Sequence, residues 1–173
     1  MSDAPPPLEL RGVGRVYRSG AGKLAVLRGH CDALGTDYAI LGNHEDDIPP
    51  AGLHARVAEL RGTWLSTNVD FDPKMPRDAI VQVGDHTVGL VAVVLDDLAV
   101  FRGAPFGGAT LRPAMADALS AAADLRTRGC ATVIAITHQD MEQDRALART
   151  RAFPLIVGGH EHVPFTEHVD GTW

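Results

Sequence analysis

Three apolar segments of strand length in this sequence are each followed closely by a histidine, and this repeated arrangement constrains the fold most. The histidines lie in Gly42-Asn43-His44-Glu45, in Thr137-His138 and in Gly158-Gly159-His160-Glu161-His162. Near-continuous apolar strands are typical of sheets that are covered on both faces. Because ligand-binding side chains gather at the carboxyl ends of strands in open α/β sheets, we expect the three segments to meet at one rim.

The spacing of apolar residues along the chain predicts alternating helices and strands, which indicates a layered α/β fold. We expect a β-hairpin where two strand-like runs flank Gly84-Asp85-His86. The expected helices are 23–34, 53–60, 114–128 and 141–148, the expected strands are 38–41, 64–69, 79–83, 87–94, 132–136 and 155–157, and the expected loops include 42–50 and 101–113.

Length and composition limit the class of protein. A chain of 173 residues with 45% hydrophobic residues predicts one domain, 1–173, with 1–20 flexible or irregular. The net charge of -6, without a block of like charges, argues against nucleic-acid binding. No apolar run reaches the roughly 18 residues that span a membrane. The first residues show no signal-peptide pattern, and Cys31 and Cys130 form no C-x-x-C motif, so we expect no disulfide framework and a cytoplasmic, reducing location.

The histidine segments carry the side chains of a metal site. His160 and His162 are two residues apart and point the same way in an extended chain. Together with His44, His138 and the amide of Asn43 they could hold a divalent transition metal. A loop of solvated histidines is the alternative for the last segment taken alone. Three of the other histidines are expected to lie on a helix surface (His54), in a turn (His86) and in a strand (His168).

In this order and spacing, the segments resemble the calcineurin-like metallophosphoesterases, and most closely their 5'-nucleotidase branch. The resemblance covers about residues 34–162. It rests on the approach to Gly42-Asn43-His44-Glu45, on Ser66-Thr67-Asn68-Val69, on Val88-Gly89-Leu90-Val91-Ala92-Val93, on Ile136-Thr137-His138 with Asp144 and Leu147-Ala148, and on Ile156-Val157-Gly158-Gly159-His160-Glu161-His162.

The resemblance implies an α/β/β/α sandwich with two divalent metals such as Mn, Zn or Fe. By the same resemblance, Asn43, His138 and His160 would bind the second metal, and His162 would bind the first. His44 would contact the phosphate, together with Asn43, and protonate the leaving group. Asp46 and Asp47 are interpreted as loop carboxylates beside the site, and Glu45 as a brace of the loop.

One departure from the family pattern shapes the functional expectation. The family's Asp-x-His and Gly-Asp motifs are missing before Gly42, and His30-Cys31-Asp32 has the reversed order. We therefore expect an N-terminally incomplete domain that binds at most one metal tightly and hydrolyses phosphate esters poorly by itself.

Three functions stay open at this point. The first is a metal-dependent phosphoric ester hydrolase of 5'-nucleotidase type, acting on a small phosphate ester that includes nucleotides. The second is a non-catalytic remnant of such a domain that binds one metal or none. The third is a metal-binding or partner-binding α/β module without a hydrolytic history, which would require a chance match of three ordered motifs.

Overall fold

The computed structural model describes residues 15–16, 25–26, 35–101 and 103–173. In these residues the strands are β1 (Arg15–Val16), β2 (Ala25–Val26), β3 (Tyr38–Ile40), β4 (Thr63–Leu65), β5 (Val69–Asp70), β6 (Asp78–Val83), β7 (His86–Val94), β8 (Thr110–Leu111), β9 (Thr132–His138) and β10 (Leu155–Gly159). The α-helices are α1 (Pro50–Val57), α2 (Ala114–Thr127) and α3 (Met141–Arg149), and short 3₁₀ helices cover Asn43–Asp47, Leu98–Val100 and Pro105–Gly107. No described helix is both long enough and apolar enough to cross a bilayer.

A four-stranded sheet with the order β10-β9-β7-β6 forms the centre of the described structure. Strands β7, β9 and β10 are parallel, and β6 joins β7 as an antiparallel hairpin. The predicted hairpin is therefore confirmed, and Gly84 supplies the positive φ of its turn. The parallel strands end together, because β9 pairs with β10 up to His138 and Gly159.

One face of this sheet is covered by α2 and α3. Alternate residues of β7 and β9, such as Val91 and Val133, pack in a buried cluster with Leu125 of α2 and Leu147 of α3. Helix α2 packs very closely over β7 at Gly89. A Cβ atom at this position would lie only 2.9 Å from a Leu125 methyl carbon. The predicted helices 114–128 and 141–148 are confirmed to within one residue at each end.

The other face of the sheet packs against the parallel pair β3–β4. Leu90 and Ala92 of β7, the neighbours in sequence of the helix-facing residues, share a buried cluster with Leu65 of β4. Trp64 lies on the opposite side of β4 and packs in the cluster that holds Leu53 of α1. The described elements therefore stack in the order α1, β3–β4, four-stranded sheet, α2 and α3.

The predicted strand 64–69 is wrong in its middle. The structure has β4 and β5 with Ser66-Thr67-Asn68 between them, and this segment bonds to β7 through side chains. The Asn68 amide donates to the Val94 carbonyl at 2.8 Å and accepts from the Val94 N–H at 3.0 Å. The Ala92 N–H donates to the Thr67 hydroxyl at 2.8 Å. Short polar side chains replace a strand partner here, which propensity does not anticipate.

Several other boundaries differ from prediction. Pro50 begins α1 three residues before the predicted helix 53–60, in agreement with the preference of proline for the first helical turn. The predicted loop 42–50 contains a 3₁₀ helix, and the predicted loop 101–113 contains another one and β8. His168 lies outside any strand, with its ring 4.6 Å from that of Trp173.

The region before residue 35 holds two further corrections. Within the predicted helix 23–34, Ala25–Val26 is a strand paired with Arg15–Val16, so its backbone bonds to another strand rather than along a helix. Arg15–Val16 is also regular structure inside 1–20, which was expected to be irregular. The other residues of these two predictions lie outside the described part of the chain.

Candidate functional site

The site is built at the carboxyl end of the parallel strands. His138 is the last residue of β9 and pairs with Val94 of β7 and Gly159 of β10. The strand therefore extends two residues beyond the predicted strand 132–136 and includes His138, which the sequence placed just past its end. The Leu95 N–H donates to the His138 carbonyl at 2.9 Å, and this bond fixes the backbone from which the imidazole projects.

The segment after β3 reaches the same rim because Gly42 has no side chain. A Cβ at Gly42 would lie 2.7 Å from Cε1 of the His138 ring. The Gly42 N–H donates to Oε2 of Glu45 at 2.7 Å, which closes the first turn of the 3₁₀ helix Asn43–Asp47. Glu45 thus braces the loop, as the sequence predicted.

Three ligand-type atoms meet at this point. Nε2 of His138 lies 2.9 Å from Oδ1 of Asn43 and 3.3 Å from Nδ1 of His160. Two nitrogens bound to one tetrahedral zinc, at roughly 2.0–2.1 Å each, are about 3.3 Å apart. The two imidazole nitrogens are therefore at the spacing of ligands that share a metal, and the Asn43 oxygen lies within hydrogen-bond distance of one of them.

The environment of His138 keeps its imidazole neutral. Burial, followed by the positive potential of His160, His44 and His162, lowers the pKa of His138 to about 4. A neutral imidazole has a free lone pair, which metal binding requires. The positions of His44 and His162 as site residues stay predictions.

His160 reaches the rim through an unusual backbone conformation. Its φ is +85°, a region that few residues other than glycine adopt. The turn after Gly158 and Gly159 directs its ring toward His138, with ring centroids 5.1 Å apart. Strained backbone of this kind is often found at functional sites.

His44 projects into solvent from the 3₁₀ helix, with 68% of its side chain exposed. Its Nδ1 lies 3.0 Å from Oδ2 of Asp47, one helical turn further along the chain. The sequence alone indicates only a loop carboxylate at Asp47. The signal that could have identified it is the spacing of three residues, which places both side chains on the same side of a 3₁₀ helix.

Asp46 and His162 have different surroundings. Oδ1 of Asp46 accepts from the Phe106 N–H at 2.6 Å and so holds the loop around Pro105–Gly107 against the site. His162 is exposed and lies in the wall of a cavity of about 490 Å³ between α3, β10 and the last residues of the chain. Within the described ranges, no group of three or more His, Cys, Asp or Glu side chains could hold a metal ion.

Comparisons with known proteins identify the fold. No family model matches the chain. An apyrase from Anopheles gambiae is 28% identical over 141 residues, which are 75% of this chain and 24% of the apyrase. A 5'-nucleotidase precursor from Thermus thermophilus superimposes with a TM-score of 0.71 and 26% identity, over 82% of this chain and 29% of the nucleotidase.

The chain has distant homologues among apyrases and is similar in structure to 5'-nucleotidases and to calcineurin-like phosphoesterases. A calcineurin-like phosphoesterase from Bacillus subtilis shows the same fold at a TM-score of 0.64 with 19% identity, over 79% of this chain and 48% of that protein. The resemblance inferred from the histidine segments is therefore confirmed. The chain spans about a quarter of the length of the apyrases that it matches. The roles of the individual site residues stay predictions.

Proposed function

We propose that this chain is a metal-dependent phosphoric ester hydrolase of 5'-nucleotidase type. The observation that carries the proposal is the meeting of Asn43, His138 and His160 at the strand rim, with atoms 2.9 Å and 3.3 Å apart. A small phosphate ester, with nucleotides included, is the proposed substrate class.

In this proposal Asn43, His138 and His160 hold a divalent ion such as Mn, Zn or Fe. An amide oxygen and two neutral imidazoles suit such ions. When bound, the ion supplies Lewis acidity toward a phosphoryl oxygen and activates water. His162, which is exposed two residues after His160, is proposed as a ligand of a neighbouring ion, in agreement with the family resemblance. Three ligands at one position and one at the other favour a single tightly held ion.

His44 is proposed to contact the phosphate, together with Asn43, and to protonate the leaving alkoxide. Its exposure leaves Nε2 free to meet a substrate, while Nδ1 faces Asp47 at 3.0 Å. A carboxylate on one ring nitrogen fixes the tautomer and orientation of the imidazole. Asp47 would therefore orient the His44 ring toward the leaving group.

We also propose that the chain adopts the α/β/β/α sandwich of the family. The order α1, β3–β4, four-stranded sheet, α2 and α3 supports it, because inter-sheet contacts are made by Leu65, Leu90 and Ala92. In that fold the two sheets present their strand ends at a common rim, where the candidate site lies.

A non-catalytic domain is the second candidate. Two observations favour it: the described residues offer no group of three or more His, Cys, Asp or Glu ligands, and His162 is exposed to solvent. A metal position with one imidazole holds its ion weakly, and phosphoryl transfer benefits from two cations.

Hydrolysis of a chromogenic aryl phosphate with added Mn²⁺ distinguishes the two candidates. We expect slow turnover by the chain that is lost in His160→Ala and retained in His86→Ala, which removes an exposed histidine at the start of β7, away from the rim. Turnover equal in His160→Ala and in the unchanged chain would contradict the hydrolase proposal. Metal binding without any turnover would favour the non-catalytic domain.

A further inference from the structure

Two buried polar atoms lie directly behind the rim without a hydrogen-bond partner among the described residues. They are the hydroxyl Oγ1 of Thr137, on β9, and the carboxylate Oδ1 of Asp144, on α3. Thr137 precedes His138, so its side chain lies on the opposite face of the sheet, toward the helices. An unpaired buried polar atom destabilises the folded state, so its presence requires an explanation.

Both side chains face the same glycine. A Cβ at Gly158 would lie 2.8 Å from Oδ2 of Asp144 and 3.7 Å from Oγ1 of Thr137. Gly158 pairs with Thr137 in the register of β9 and β10, one residue before the pair formed by His138 and Gly159. The Asp144 carboxylate therefore occupies the space that any side chain at position 158 would need.

Burial makes this position unfavourable for a carboxylate. Burial raises the pKa of Asp144 to about 6, with smaller contributions from Asp140 and Glu161. The Thr137 hydroxyl, although outside hydrogen-bond geometry, opposes the increase in pKa. The buried neighbours on the same helix, Leu147 and Ala148, show that apolar side chains fill this layer elsewhere. An acid retained in such a place indicates a role other than packing.

The helix that carries Asp144 is firmly anchored at its start. Oδ1 of Asp140 accepts from the Gln143 N–H at 2.9 Å, and the Gln143 side chain accepts from the Asp140 N–H at 3.3 Å. Gly158 lies on the other side of the contact and leads into His160, whose φ of +85° needs support from its surroundings.

We propose that Asp144 is a positioning residue for the candidate site. Its carboxylate, with the Thr137 hydroxyl, clamps Gly158 and so fixes the direction in which His160 and His162 leave β10. The inference rests on the proposed function, because it assigns these histidines to a metal. Removal of the clamp lets the turn after β10 move and separates His160 from His138.

Cobalt titration of the metal-free chain, followed by visible absorption, tests the clamp. Loss of groups that orient metal ligands typically lowers metal affinity about 10-fold to 100-fold. We expect Asp144→Ala to lower the cobalt affinity by an amount in this range and to change the cobalt spectrum. Asp144→Asn should lower the affinity less, because asparagine keeps the shape of the side chain. Leu147→Ala is the matched control: it removes a buried side chain one turn along α3 and should lower the unfolding temperature while leaving affinity and spectrum of the folded chain unchanged.

A second pair of variants tests the contact itself. Gly158→Ala should lower cobalt affinity, because its methyl group meets Oδ2 of Asp144 at 2.8 Å. In the Asp144→Ala background, Gly158→Ala should lower the cobalt affinity clearly less. Such non-additivity between two substitutions is expected for residues in contact. Equal losses in both backgrounds, or an Asp144→Ala chain that binds cobalt like the unchanged chain, would overturn the clamp alone. An unchanged chain that binds no cobalt would overturn the proposed function as well.

Discussion

Nε2 of His138 lies 2.9 Å from Oδ1 of Asn43, although 95 residues separate the two in sequence. The contact joins the end of β9 to the 3₁₀ helix that follows β3, and so connects two layers of the fold at one rim. Two of the three histidine segments are brought together by it, and His160, 3.3 Å from the same nitrogen, adds the third.

Gly42→Ala tests how closely these layers must approach. The added methyl group would lie 2.7 Å from the His138 ring, so the ring or the loop must move. We expect a loss of metal affinity of about 10-fold or more, the size seen when ligand orientation is disturbed. The control is Gly52→Ala in α1, where the nearest atom is 3.7 Å away and stability should rise by about 0.5–1 kcal/mol. Both effects are measured by metal titration and thermal unfolding; equal affinity in the two variants would contradict the close approach.

His44→Ala should lower turnover while the metal content stays unchanged, because His44 acts on the leaving group and not on the ion. General acid catalysis contributes about 10²–10⁴-fold, which sets the expected loss. Asp47→Asn should produce a smaller loss, since it removes only the partner at 3.0 Å. Turnover with an aryl phosphate that has a good leaving group should suffer less than turnover with an alkyl phosphate. An equal loss of turnover with both substrates would contradict the role of His44 as proton donor.

Stability should depend on pH through His138. Its pKa is about 4 in the folded chain and near 6.5 when unfolded, so the unfolded state binds the proton more readily between these values. The folded state is therefore fully favoured above pH 6.5 and loses stability as the pH falls toward 4. Asp144 acts in the opposite direction, because its pKa is raised from 3.8 to about 6 and folding favours its protonated form. Denaturant unfolding from pH 4 to 7 should show the His138 contribution more clearly in Asp144→Asn; a curve that does not change with pH in this variant would contradict the depressed pKa.

The sequence predicted the parts of the fold that depend on local pattern. The hairpin β6–β7 and the helices α2 and α3 were placed correctly, because apolar spacing and flanking glycines mark them. The break at Ser66-Thr67-Asn68 was missed, since it depends on bonds to Val94 and Ala92 in another strand. The pairing of Ala25–Val26 with Arg15–Val16 was missed for the same reason.

In the candidate site, too, the features that depend on local sequence pattern were predicted and those that depend on tertiary contacts were not. Motif spacing brought Asn43, His138 and His160 together correctly, because strand ends in an α/β sheet share a rim. The partnership of His44 with Asp47 depends on a 3₁₀ helix inside a predicted loop, and no periodic apolar pattern in residues 42–50 indicates that helix. The contact between Asp144 and Gly158 depends on how α3 packs over β10, which only the tertiary structure shows.

Asn68→Ala should destabilise the fold without any direct effect on the site. It removes bonds at 2.8 Å and 3.0 Å to Val94 and one at 3.1 Å to the Arg112 carbonyl. Each buried group left unpaired costs about 1–3 kcal/mol and three groups lose a partner, so we expect a total loss of at least about 3 kcal/mol in denaturant unfolding. Ser66→Ala, which loses a single bond to the Val69 carbonyl, is the milder control. A loss below that of the control would show that water replaces these bonds.

The metal content of the purified chain after dialysis tests the central claim most directly. We predict about one equivalent of Mn²⁺ or Zn²⁺ per chain, since three ligands meet at Asn43, His138 and His160. In His160→Ala the retained metal should be lost, while His86→Ala should retain as much as the unchanged chain. No retained metal in the unchanged chain, or equal retention in His160→Ala, would contradict the account.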